Sequence, residues 1–150
     1  MKQAEIARGS AWKAAAIDEF LSVTNIPCRL ACVTGDGFPH VSSLWYLYDN
    51  DALWFSVQRR ASVHHWLSNN SRVGFEIAGD SPPYFGVRGR GTANLLAAAE
   101  VDVLPRLLDR YGIDRDSSLA SWLLSRRATE LTIKLMPEWI TSWDYRDRMS

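Results

Sequence analysis

The sequence has no stretch approaching the roughly 20 apolar residues that a membrane-spanning helix needs. It also has no excess of charge, since seventeen Lys and Arg balance seventeen Asp and Glu. Without a net field, recruitment of nucleic acid or an anionic membrane by counterion release is not expected, and an anionic ligand must be held by local donors. Cysteine is scarce. Cys28 and Cys32 fall four apart in a strand-like stretch, which puts them on one face about 13 Å apart, too far to bridge. Two free buried thiols in a reducing compartment are expected. The first ten residues carry Lys2, Glu5 and Arg8 ahead of any apolar run and do not resemble a secretory h-region, so the expected location is cytoplasmic.

The common catalytic signatures are missing too. There is no HExxH, no paired CxxC and no GxSxG, which removes the familiar zinc and serine-hydrolase readings. His64 and His65 are adjacent, pointing about 100° apart on a helix, and make poor joint metal ligands. Gly86, Gly89 and Gly91 lack the strand-turn-helix setting of a dinucleotide fingerprint. No internal repeat or low-complexity linker divides the 150 residues, which predicts one domain over 1–150.

What is present is a succession of short alternating runs. Trp12, Ala16, Phe20 and Val23 recur at helical spacing behind Ser10, a candidate N-cap, and Asn25 to Pro27 stop that helix. Strands are expected over Arg29–Thr34 and about His40–Tyr48, joined across Gly35-Asp36-Gly37, and over Leu53–Val57 after the Asp49–Asp51 turn. Val63, Trp66 and Leu67 give a short helix starting near Ala61 or Ser62. Val73, Phe75 and Ile77 alternate as a half-buried strand. A long alternating stretch from Tyr84 to Leu95 contains three glycines, as bends or close backbone approaches require. Val101 to Tyr111 reads as helical, with Pro105 kinking it or opening its second part, and a further helix is expected over Ser117–Arg126. Leu131, Ile133 and Leu135 alternate before Pro137 and the ending Trp139–Arg148. Five or six antiparallel strands with flanking helices describe a mainly β (α+β) fold, a small closed or half-open barrel.

The stretch HVSSLWYLYDNDALWFSVQRRASVHHWLSNNSRV, with Pro39 ahead of it, supplies Pro39, Val41, Ser42, Trp45, Tyr48 and Asp49, then Phe55, Ser56 and Val57, then Leu67, Arg72 and Val73. In that order it resembles the pyridoxamine 5'-phosphate oxidase-like flavin-binding split barrels. The likeness spans about residues 26–96, and Pro137 to Trp143 resembles the family's last strand.

The resemblance implies an antiparallel split β-barrel working as a homodimer, with FMN, or alternatively a deazaflavin, at the subunit interface and a small-molecule substrate. Haem is a remoter alternative. It implies that the flavin phosphate lies in the turn holding Ser56, Val57, Gln58, Arg59, Arg60, Ser62 and Val63. The family's lysine position falls on Val63, which offers no donor, so Arg59 or Arg60 is the expected substitute. Ring contacts are expected from Ser43, Leu44 and Trp45, and contacts from the partner subunit from Arg88, Arg90, Trp143 and Arg146. Arg88 and Arg90 could instead pair with Glu76 across strands. Seven tryptophans suggest apolar surface that a dimer would cover. The expected activity is that of an FMN-dependent oxidoreductase acting on an unknown small molecule. The alternatives are a deazaflavin-dependent reductase and a protein that holds flavin or another small ligand without turnover. No catalytic acid or base stands out.

Overall fold

A computed structural model describes residue 1 and residues 3–150. Its centre is one mostly antiparallel sheet of eight strands. These are β1 (Glu5–Ile6), β2 (Cys28–Val33), β3 (Pro39–Leu44), β4 (Leu47–Asp49), β5 (Ala52–Gln58), β6 (Arg72–Ala78), β7 (Phe85–Ala97) and β8 (Glu130–Asp144). The order across the sheet is β3-β2-β6-β7-β8-β5-β4, with β1 alongside β8. The two outer strands of that order, β3 and β4, are separated in the chain only by Trp45 and Tyr46. The sheet must therefore curl until its edges approach, which makes it a split barrel.

The curl has an interior. Leu30, Phe55, Val73, Phe75, Ile77, Val87, Ile133, Leu135 and Ile140 form one buried cluster, each strand contributing alternate residues. Helix α1 (Ala14–Val23) adds Ile17 and Leu21, and α2 (Ser62–Asn69) adds Val63 and Leu67. Each side chain so buried contributes about 1.5–3 kcal/mol of transfer free energy. Cys28 and Cys32 face the same interior as free thiols.

Several boundaries differ from the sequence reading, each for a local reason. Helix α1 begins at Ala14, because Ser10 does not cap it. The Ser10 hydroxyl donates to the Trp12 carbonyl at 2.9 Å and meets Ser142 Oγ at 2.8 Å, tying the N-terminal segment to β8. The single strand expected over His40–Tyr48 is two, β3 and β4, broken where the chain turns between the sheet edges. The hairpin between β4 and β5 turns on Asn50 and Asp51, both with positive φ, as a two-residue turn demands.

β8 runs straight through Pro137, in line with the strand expected over Pro137 to Trp143. Arg90 pairs with Trp139 and Gly91 with Pro137, so Glu138 is an extra residue in a bulge, where a proline without an N–H is tolerated. A Cβ at Gly91 would collide with the Met136 carbonyl, so only glycine fits there. β1, parallel to β8 and two residues long, is too short to announce itself by alternation.

The remaining helices lie outside the barrel. They are α3 (Leu104–Arg110), with Pro105 in its first turn, α4 (Ser118–Ser125) and the single-turn α5 (Arg146–Met149). Ser117 caps α4, its hydroxyl accepting from the Ala120 N–H at 3.1 Å. A 3-10 turn over Arg127–Thr129 leads from α4 into β8. Leu107 and Val103 pack on Leu47, with Trp45, Trp54, Val101 and Tyr111 around them, as a second and smaller cluster. This cluster fixes α3 over the outer face of β5. Among the described residues no helix is long and apolar enough to cross a membrane.

Candidate functional site

Alternation along β5 decides what reaches the outer shelf. Leu53, Phe55 and Val57 turn inward, leaving Trp54, Ser56 and Gln58 on the other face. Beneath α3 and α4 this face bounds a cavity of about 280 Å³. Its walls are Ser43, Leu44 and Trp45 at the end of β3, Ser56, Val57 and Gln58 of β5, and Leu104, Leu107, Trp122, Leu123, Arg126 and Glu130. The Trp45 ring is stacked on Tyr111, with centroids 5.0 Å apart and planes 15° from parallel. Tyr111 is itself held, because its hydroxyl accepts from the Tyr46 N–H at 3.2 Å. Burial pushes the Tyr111 phenol above its ordinary pKa.

A second cavity of about 480 Å³ adjoins the first and shares Gln58 and Arg126 with it. Arg59, Arg60 and Thr129 complete its walls, so three arginines and no acidic residue line it. None of these arginines is in an ion pair among the described residues. The turn is fixed by its backbone, with the Arg59 N–H donating to the Thr129 carbonyl at 2.9 Å and the Ala61 N–H to the Gln58 carbonyl at 2.9 Å. Arg126 lies 4.1 Å above the Trp122 ring, which orients its guanidinium without neutralising it. The arrangement can bind an anion, and the positive end of α2 follows directly.

The structure thus brings Ser43, Leu44, Trp45, Ser56, Val57, Gln58, Arg59 and Arg60 into two joined cavities. Val63 is different. It stands one helical turn from Leu67 and both side chains enter the core, Val63 being 5% exposed, and it lines neither cavity. Ser62 is exposed at the first position of α2, outside both cavities.

Arg88 and Arg90 line another cavity, of about 500 Å³, on the outer face of β2, β6, β7 and β8, together with Arg29, Val41 and Trp139. Arg88 stands opposite Glu76 in register, yet the Glu76 carboxylate is 4.0 Å from Arg29, and Arg88 lies 5.3 Å over the Trp143 ring instead. Arg90 lies 5.5 Å over Trp139. Arg146 donates from Nε to Asp144 at 2.9 Å, which holds the Asp144 carboxyl well below the usual carboxylate range. None of Arg88, Arg90, Trp143 and Arg146 reaches the Trp45 cavity of its own chain. A further depression of about 740 Å³ along β2, β6 and β7 has Cys32, Arg72, Arg90, Thr92 and Glu138 among its walls and shares no residue with the joined pair.

Sequence reasoning missed Arg126, Trp122, Thr129 and Glu130. Glu130 is buried, at 6% exposure, and accepts from Ser56 Oγ at 2.8 Å and from Gln58 Nε2. The Gln58 carbonyl oxygen in turn accepts from Thr129 Oγ1 at 2.9 Å. No cation lies within ion-pairing distance of the Glu130 carboxylate among the described residues. The signal for it was the strand pairing that sets Gln58 opposite Glu130, which only the fold reveals.

Several solved structures share this fold. A conserved hypothetical protein from Mycobacterium tuberculosis superimposes with a TM-score of 0.76 at 21% identity, covering 96% of this chain and 92% of that one. A protein named F420 reductase gives a TM-score of 0.69 at 22% identity, covering 82% and 94%. A FAD-binding protein from Mesorhizobium loti gives 0.61 at 23% identity, covering 87% and 94%. Compared by sequence with the curated proteins, the chain has no significant match. The family profile described as pyridoxamine 5'-phosphate oxidase matches residues 14–140, most of the chain and every residue that bounds the joined cavities, and the chain belongs to that family.

Proposed function

We propose that this protein is an FMN-binding oxidoreductase acting on a small molecule, with the flavin phosphate in the three-arginine cavity and the flavin ring beside Trp45. The observation that carries the reading is the pairing of a cavity lined by three arginines and no carboxylate with an adjoining cavity walled by an aromatic stack. A flavin mononucleotide has the same two ends, one dianionic and one planar and apolar. Charge-assisted contacts from Arg59, Arg60 and Arg126 would hold the phosphate, replacing the donor that Val63 lacks. When bound, the flavin supplies the redox chemistry, and the chain supplies position and exclusion of water.

The protein acts as a homodimer in this proposal. The face bearing Arg88 and Arg90 also exposes Val41, at 58%, beside Trp139, a surface suited to a second copy. That copy would bring its outer-face arginines and Trp143 toward a cavity they cannot reach in their own chain. A deazaflavin is the second reading, favoured by the fold shared with an F420 reductase and by a roomy arginine cavity of about 480 Å³.

The absorbance spectrum of purified protein, as isolated and after incubation with FMN and desalting, tests the reading. Retained flavin bands are expected. Colourless protein that retains no FMN overturns it.

A further inference from the structure

Glu130 is a buried carboxylate on the wall of a cavity that Arg126 also lines, and it is in no ion pair among the described residues. Such a charge is expensive to bury and survives by the donors it collects, here Ser56 Oγ and Gln58 Nε2. These are two of the donors that a phosphate entering along β5 would otherwise find. Glu130 occupies them as an internal anion, and its own charge repels a second one brought close to it.

We propose that Glu130 is a specificity-determining residue that excludes phosphate from the Trp45 cavity and confines it to the arginine side. Resting on the flavin reading above, this makes the binding site polar in the electrical sense. One cavity accepts anions and its neighbour refuses them, with Gln58 and Arg126 at the boundary. The neutral hydroxyls of a flavin side chain carry no charge and meet no such repulsion. Glu130 therefore fixes which way round the ligand lies and weakens any ligand whose phosphate sits near the boundary.

The test compares the wild-type protein with Glu130→Gln, titrating FMN, riboflavin and inorganic pyrophosphate into each. Glu130→Gln is expected to bind FMN and pyrophosphate about tenfold or more tighter and riboflavin within about twofold of wild type. Glu130→Met, which removes the charge without an amide, carries the same expectation and serves in its place if the amide variant does not fold. Equal changes for FMN and riboflavin, or unchanged pyrophosphate affinity, overturn the proposal. If neither flavin binds either protein while pyrophosphate still tightens, the flavin reading falls and the role of Glu130 stands. If pyrophosphate binds neither protein, Glu130 guards no anion site and the proposal fails whatever the flavins do.

Discussion

The two faces of β5 are made of neighbouring residues and obey different rules. Inward, Phe55 and Val57 join a core built from alternate residues of the same curled sheet and the buried faces of α1 and α2. Outward, Ser56 and Gln58 meet Glu130 and Thr129, while Trp122 and Arg126 of the α4 region wall the same cavities, partners separated from them by much of the chain. The inner face is tolerant of chemistry only if it stays apolar and keeps its volume. The outer face holds charges apart in two joined cavities, so its identity lies in which polar group meets which.

Moving a charge onto the apolar side breaks this contrast most severely. Val63→Lys places an ammonium in the core instead of beside a phosphate, and it should cost about 3 kcal/mol or more of stability. A thermal melt should drop by many degrees, with no tightening of FMN relative to wild type. A variant that melts normally and binds FMN better would put Val63 on the ligand side.

The converse change leaves the core alone. Arg59→Ala combined with Arg60→Ala should weaken FMN binding by about 1.5–3 kcal/mol for each guanidinium that reaches the phosphate, with stability moving within about 0.5 kcal/mol. Riboflavin affinity should change much less, and a calorimetric titration of both ligands separates the phosphate contribution from the rest.

A smaller effect is expected at the aromatic stack. Tyr111→Phe keeps the ring against Trp45 but removes the acceptor for the Tyr46 N–H, at a cost of about 1 kcal/mol in urea unfolding. Tyr111→Ala should cost more, because the stacked ring goes as well.

The smallest effect belongs to a thiol on the inner face. Burial pushes Cys32 from 9.0 up to about 11, so the folded protein keeps a proton that the unfolded chain releases. That contribution to stability is whole below pH 9 and is lost as pH rises from 9 toward about 11. Cys32→Ala should make the alkaline fall in stability shallower over that window, and a thiol reagent at pH 8 should label Cys32 slowly until the protein is unfolded.

The inner face is legible in the sequence because burial imposes a period. Val73, Phe75 and Ile77 can be assigned to one side from spacing alone, and Val63 and Leu67 mark the helical stripe of α2. Where local pattern competes with a distant partner, it fails. Ser10 looks like a helix cap until Ser142 claims its hydroxyl, and the bulge that carries β8 past Pro137 depends on its pairing with β7. The cavities follow the same division. Ser43 to Trp45 and Ser56 to Arg60 are visible as a family pattern, whereas Arg126 and Glu130 arrive only through the packing of α4 and the pairing of β8 with β5. The family pattern assigns Val63 a ligand position, while its helical register and its burial place its side chain in the core.

A crystal structure of the protein with FMN tests the proposed site most directly. Phosphate density is expected against Arg59, Arg60 and Arg126, with the ring beside Trp45 and a second copy of the chain covering it. A flavin seated elsewhere, or a phosphate against Ser56 with Glu130 turned away, would contradict the assignment.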